Sequence, residues 1–325
     1  MSPLGVVFPG QGCQYVGMAS ALRLLSAGAR RRLDEADDIL GYSLSTLCQD
    51  GPVQALDQTV HTQPAIYTAT VALWEHLSEA MAWRGPGSDS EMAIVCGAGH
   101  SLGEFAALTA AGCMTFEDGL RLVRRRAEAM AEAGAKSPGG MAAILGLSDE
   151  AVQELVDDAR ARQYQLWVAN YNSPGQVVVA GSADALAMAH ELAEARRAKR
   201  VVPLAVSVAC HTPLMGGAAE AFGEALADTA LRRPAFPIIS NVTAQPQSEP
   251  EEIRSSLLQQ LVSPVRWVES VRAFANLGVD TILEVGPKAV LSGLIRRITT
   301  DASLVTVCDA ASVANWIASG EALNR

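Results

Sequence analysis

Ile94-Val95-Cys96-Gly97-Ala98-Gly99-His100-Ser101-Leu102-Gly103-Glu104-Phe105 is an apolar run that ends in G-x-S-x-G and opens into the alanine-rich segment Phe105-Ala106-Ala107-Leu108-Thr109-Ala110-Ala111. A strand before the pentapeptide and a helix after it form the context that a nucleophile elbow requires. The glycines let the chain turn sharply without Cβ clashes and leave the Ser101 hydroxyl exposed above a sheet. The N-terminus of the following helix offers unpaired N–H groups where negative charge would develop. A glycine-rich turn with an incidental serine would look the same over five residues. The flanking strand and helix favour the nucleophile, so the rest of the chain must supply a base, an oxyanion hole and a substrate site.

The chain has 325 residues, 49% of them hydrophobic, enough for a large core and one to three domains. A formal net charge of −10 argues against general nucleic-acid binding, while leaving room for a local basic patch. The six cysteines show no C-x-x-C pair or zinc spacing, so no metal site is expected and reduced thiols in a cytoplasmic protein are the default. The first residues lack a basic leader segment and read as a short strand, not a signal peptide. No run of about 20 uncharged apolar residues exists, so no membrane span is expected.

Working outward, residues 4–8 read as a buried strand closed by Pro9-Gly10-Gln11-Gly12-Cys13-Gln14. Helical patterns cover 22–40, with Arg30, Arg31 and Arg32 expected on a solvated face. An amphipathic helix is expected over 65–81, with Pro64 in its first turn, and a polar loop over 82–91. After the elbow a helix beginning near Thr115 carries Arg121, Arg124, Arg125 and Arg126. The 3.6-residue period spreads these around the axis, so at least one points away from solvent.

Segments 141–147, 165–172, 176–180 and 200–206 read as strands, with helices from Ser148 and over 182–198. This β-α-β-β-α-β order predicts a ferredoxin-like small domain, residues 137–206, inserted into a larger one, residues 1–136 and 207–325. The larger part continues with helices at 214–230, 251–261 and 268–277, strands at 237–240 and 281–285, and a last helix at 289–299. Alternating strands and helices imply an α/β fold whose mostly parallel sheet is covered on both faces.

Five histidines are candidates for the base. His76 and His190 sit in helices beside glutamates and suggest surface positions, and His61 opens a loop. His100 adjoins Ser101, and neighbours at a sharp turn point apart. His211, in Val206-Ser207-Val208-Ala209-Cys210-His211-Thr212-Pro213, lies where the inserted domain rejoins the larger one, a junction that can open as a cleft. No third carboxylate stands out by spacing, and a backbone carbonyl would orient the imidazole equally well.

Phe8-Pro9-Gly10-Gln11-Gly12-Cys13-Gln14, Gly99-His100-Ser101-Leu102-Gly103-Glu104, Asn172-Ser173-Pro174-Gly175-Gln176, Ser263-Pro264-Val265-Arg266-Trp267 and Glu284-Val285-Gly286-Pro287 occur in an order that resembles the malonyl-CoA:acyl-carrier-protein transacylases. The chain is also similar to the stand-alone acyltransferases that serve polyketide synthases. The resemblance implies an α/β-hydrolase-like large domain with a ferredoxin-like insertion. It implies Ser101 as nucleophile, His211 as base, Gln260 orienting His211 through its main-chain carbonyl, and the Gln11 and Leu102 amides as oxyanion hole. Arg126 would bind the malonyl carboxylate, with Gln63, Met130, Asn172, His100 and Cys210 lining the site.

Malonyl-CoA would be the acyl donor, the phosphopantetheine would arrive on an acidic acyl carrier protein, and the enzyme, a monomer, would need no bound cofactor. In the polyketide-synthase acyltransferase domains that the chain resembles, malonyl-selective members usually carry His-Ala-Phe before the base histidine, and methylmalonyl-selective members Tyr-Ala-Ser. Val208-Ala209-Cys210 matches neither, and the small Cys210 leaves room for a substituted malonyl or bulkier acyl group. Arg196, Arg197, Lys199 and Arg200, or Arg296 and Arg297, are candidates for docking the carrier. The rivals are a hydrolase that clears carrier proteins and a non-catalytic interaction protein. Arg126 argues against the first and the presence of both Ser101 and His211 against the second.

Overall fold

Two sheets organise the chain, one interrupting the sequence of the other. The structure, a computed structural model, describes residues 3–81 and 94–318, so the loop expected over 82–91 lies outside the described residues. In chain order the elements are β1 (Leu4–Phe8), α1 (Met18–Leu25), α2 (Ala27–Leu40), α3 (Leu44–Asp50), α4 (Val53–Leu56), α5 (Thr59–Ala80), β2 (Ile94–Gly99), α6 (Gly103–Ala110) and α7 (Phe116–Lys136). The insertion comprises β3 (Gly139–Leu145), α8 (Asp149–Ala161), β4 (Leu166–Ser173), β5 (Gln176–Ser182), α9 (Ala183–Ala195) and β6 (Arg200–Pro203). The first sheet then resumes with α10 (Gly216–Ala227), β7 (Ile238–Ile239), β8 (Pro246–Gln247), α11 (Pro250–Gln260), α12 (Trp267–Asn276), β9 (Thr281–Val285), α13 (Leu291–Ile298), β10 (Ser303–Val307) and α14 (Ala310–Ala318).

The large sheet has the order β10-β9-β1-β2-β7-β8 and is parallel except for the short β7–β8 pair. All five residues of β1 are buried, as expected of a strand covered on both faces. The small sheet is antiparallel with the order β4-β5-β3-β6, the ferredoxin-like arrangement of a split β-α-β unit. Ser148 caps α8, its hydroxyl accepting from the Ala151 amide, and Val152, Leu155 and Val156 form its buried stripe.

Period-two alternation gives the small sheet two apolar faces. Ala142, Ile144, Val177 and Val179 pack under α8 and α9, while Met141, Ala143, Val178 and Ala180 join the core of the large sheet. The inserted sheet therefore lies against the larger unit.

Four expectations are corrected. Helix α5 begins at Thr59, so Pro64 is inside it and His61 is in its first turn rather than in a loop. Thr62 to Trp74 is buried without interruption, and packing on all sides holds the helix through a proline that removes one hydrogen bond. The chain does not end its regular structure at α13: β10 extends the parallel sheet beside β9, and α14 follows. The strand expected over 237–240 pairs only at Ile238–Ile239. Arg32 is not solvated like Arg30 and Arg31, because it crosses to Glu75 with two 2.7 Å hydrogen bonds and lies over the Phe116 ring.

Candidate active site

Strands β1 and β2 run side by side with Phe8 opposite Gly99, so the turn carrying Gln11 and the turn carrying Ser101 leave the sheet at the same carboxyl edge. Ligands of open parallel sheets bind outside that edge. The approach is close: a Cβ on Gly103 would sit 2.0 Å from the Phe8 oxygen, and one on Gly99 would sit 1.9 Å from the Gly103 carbonyl carbon. These two glycines are required by contact, whereas the left-handed turn itself falls on Ser101, whose φ is 52°. Asn241, fully buried, braces that turn from both sides. Its Oδ1 accepts from the Ser101 amide and its Nδ2 donates to the Gly99 carbonyl, each at 2.6 Å.

The helix behind the elbow offers fewer free amides than its sequence promised, because those of Gly103, Glu104 and Phe105 donate to the His100, Ser101 and Leu102 carbonyls. Among the described residues the Gln11 and Leu102 amides, outside the helices and strands, have no protein acceptor.

His211 Nδ1 lies 2.8 Å from the Gln260 carbonyl, which can only accept. The proton is therefore on Nδ1, and Nε2 accepts from the Ser101 hydroxyl at 2.8 Å. Burial, then the nearby Arg126 charge, pushes the His211 pKa down to about 3. The imidazole is neutral at pH 7 and ready to take a proton. Like Ser101, His211 has a left-handed backbone, φ 61°.

Arg126 is 1% exposed, on the face of α7 shared by Leu122, Val123 and Met130, while Arg121, Arg124 and Arg125 pair outward with Glu117, Glu128 and Glu132. Its guanidinium donates to Gln63 Oε1 at 2.8 Å, Ser101 Oγ at 2.9 Å and Gln260 Oε1 at 3.0 Å, and its Nε has no partner. All three acceptors are neutral. Burial lowers its pKa to about 10, which leaves it charged at neutral pH. A buried cation without a carboxylate in contact is costly, and a carboxylate ligand relieves that cost.

These groups line a cavity of about 320 Å³ between the two sheets, together with Gln11, Gln63, His100, Leu102, Met130, Met141, Asn172, Leu204 and Cys210. His100 turns away from Ser101, with Nε2 2.8 Å from Asn172 Oδ1. Burial raises the Cys210 thiol to about 11, so it stays protonated as a small lining group. The structure thus brings together all eleven candidates named from the sequence. It adds Asn241 and Glu104, the latter within a quoted motif, neither with a role assigned from the sequence. Of the other histidines, His61 faces the Ala55 carbonyl and the Tyr42 ring, and His190 pairs with Glu194 on the surface. Among the basic candidates, Arg196 is tied to Asp158 and is not free to dock a partner.

A serine on a strand–helix elbow, an oriented neutral histidine and a buried arginine make this an α/β protein with a site of the serine acyl-transfer type. The chain belongs to the acyl transferase domain family, whose model matches residues 6–322. It is 39% identical over 309 residues to the malonyl CoA-acyl carrier protein transacylase of Bacillus subtilis, covering 95% of this chain and 94% of the relative. An acyl carrier protein S-malonyltransferase from Vibrio cholerae superposes with a TM-score of 0.89 at 40% identity, over 97% of this chain and all of the other. A malonyl-transacylase whose structure is solved in complex with its type II polyketide-synthase acyl-carrier protein gives a TM-score of 0.91 at 39% identity, over 98% of this chain and 100% of the other.

Proposed function

We propose that this protein moves a malonyl-type unit from CoA to the phosphopantetheine thiol of an acyl carrier protein, for fatty acid or polyketide synthesis. The observation that carries the substrate class is Arg126, a buried cation 2.9 Å from the Ser101 hydroxyl with only neutral partners. Ser101 Oγ attacks the thioester carbonyl while its proton passes to His211 Nε2. The tetrahedral oxyanion is held by the Gln11 and Leu102 amides, each such donor contributing ~10²–10³ in rate. The C–S bond breaks, and CoA leaves with the proton from His211. The carrier thiol then gives its proton to His211 and attacks the acyl carbon; the bond to Ser101 Oγ breaks, and His211 returns the proton to that oxygen, which restores Ser101. Arg126 holds the free carboxylate throughout, and Gln260 keeps the imidazole in the Nδ1–H tautomer.

No cofactor is needed from the enzyme, since the phosphopantetheine belongs to the partner. The unfilled space beside Cys210 suits a malonyl group with a small α-substituent as well as malonyl itself. The division at residues 137 and 207 is the one that best suits the two sheets. No helix among the described residues is long and apolar enough to cross a membrane, and a cytoplasmic monomer acting on an acidic carrier is the expected setting. Lys199, Arg200 and Arg297 are the preferred docking residues. Lys199 packs on Gly146, whose amide donates to Gly175 in the β4–β5 turn, and Arg297 reaches Gln176, the first residue of β5 beside that turn.

Incubation with malonyl-CoA and holo carrier protein tests the proposal. A malonyl adduct on Ser101 followed by malonyl-carrier is expected. Free malonate without malonyl-carrier would instead assign the site to a hydrolase.

A further inference from the structure

Gln260 joins every part of the site, and its side-chain amide has only one workable orientation. Nε2 donates to Glu104 Oε2 at 2.5 Å and to the Ser101 carbonyl at 3.1 Å, while Oε1 accepts from Arg126. A flipped amide would turn NH₂ toward a guanidinium and C=O toward two acceptors. Glu104, in the first turn of α6 and 3% exposed, is thus the group that sets this polarity from below. Among the described residues neither Glu104 nor Arg126 makes an ion pair within 4.0 Å, so the two buried charges face each other across one glutamine.

We propose that Glu104 is a positioning residue for acyl selection: through Gln260 it aims the Arg126 guanidinium, and it is the internal counter-charge with which an incoming acyl carboxylate competes. The inference rests on Arg126 being the carboxylate clamp of the proposed reaction. Arriving malonate gives Arg126 a second anion close to Glu104, and two carboxylates near one cation disfavour each other. Binding of the acyl carboxylate is then strongest when Glu104 is neutral. The groups facing Glu104 are the Gln260 amide from α11, the Asn241 main-chain N–H from the loop after β7, and Arg126 from α7. Burial raises its pKa to about 7, with Gln260, Asn241 and Arg126 opposing the rise.

The proposal separates two variants. Glu104→Gln keeps an acceptor for Gln260 but removes the charge. Its preference for malonyl-CoA over acetyl-CoA, measured as the ratio of Ser101 acylation rates in competition, should rise by about 5- to 20-fold at pH 8. Glu104→Ala leaves the Gln260 amide without its acceptor, and the ratio should fall below wild type. In wild type the malonyl preference should decline as pH rises through about 7, and Glu104→Gln should abolish that decline. Acetyl-CoA reports on the elbow itself and should show no such limb. An unchanged ratio in Glu104→Gln, or a limb near pH 7 that survives the substitution, overturns the proposal while malonyl adducts still form. Absence of any malonyl adduct in wild type overturns it together with the proposed function. Should Glu104→Ala not fold, the Glu104→Gln ratio and its pH profile decide alone.

Discussion

Replacing Arg126 by alanine tests the substrate assignment most directly. The guanidinium is 1% exposed and within 3.0 Å of Gln63, Ser101 and Gln260. Removing it strips the acyl carboxylate of its charged partner and leaves that carboxylate in a dry cavity. Breaking a buried pair from one side costs about 3–5 kcal/mol, which is about 150- to 5,000-fold in malonyl acylation. Acetyl-CoA has no carboxylate to strand, so its acylation should change little. The shared Ser101 contact is the reason to expect some loss for both donors. A second consequence follows from the same charge. Arg126 helps to hold the His211 pKa down, so the variant's histidine should titrate higher and its acid limb should move toward neutral pH. The assay is intact-mass competition between malonyl-CoA and acetyl-CoA from about pH 3, where the wild-type limb falls, to pH 8. Unchanged selectivity would remove Arg126 from the carboxylate, and an unmoved acid limb would refute the coupling to His211.

Other expectations concern the surroundings of Ser101. The folded protein resists protonating His211, whose pKa is about 3, while the unfolded chain binds that proton near pH 6.5. Stability should therefore fall as pH drops from about 6.5 toward 3, and Tm against pH should be flatter in His211→Gln than in wild type. Asn241→Ala removes both braces of the elbow and should cost about 2–4 kcal/mol in urea unfolding together with kcat; a native midpoint would show that the turn holds itself. Gly103→Ala should fail to give soluble, active protein, because the methyl group meets the Phe8 carbonyl, and an active variant would refute the contact argument. Lys199→Glu with Arg297→Glu should weaken transfer to the carrier by raising its KM without slowing acylation by malonyl-CoA, and an unaltered carrier KM would place docking elsewhere.

Much of this architecture was written in local pattern. The apolar runs 4–8, 141–145 and 177–180 are each of strand length, and the helix after Ser148 carries its cap and its apolar stripe in the chain itself. The small sheet followed from order alone. What local pattern could not carry was the effect of distant packing: Pro64 stops a helix in isolation, yet α5 is wrapped on every side and continues through it. Strand β10 was missed because only the edge of β9, far from it in sequence until α13 has crossed over, gives it a partner. The site was legible as a set of residues, since an elbow serine and a junction histidine need one another. The signal separating Arg126 from its three neighbours was weak in the chain and clear in space, where a single α7 face turns inward. Glu104 and Asn241 had no legible role, because each works through a residue more than 130 positions away in the chain.

The left-handed backbone at Ser101 and His211 places both reacting residues in conformations that glycine adopts freely and other side chains resist by about 1–2 kcal/mol. Folding alone would thus favour an inert chain with glycine at either position. Selection of variants for thermal tolerance without a check on turnover would drift toward that inert chain, and recovering catalysis afterwards would mean accepting a less stable fold. In this protein reactivity and robustness pull on the same two peptide units.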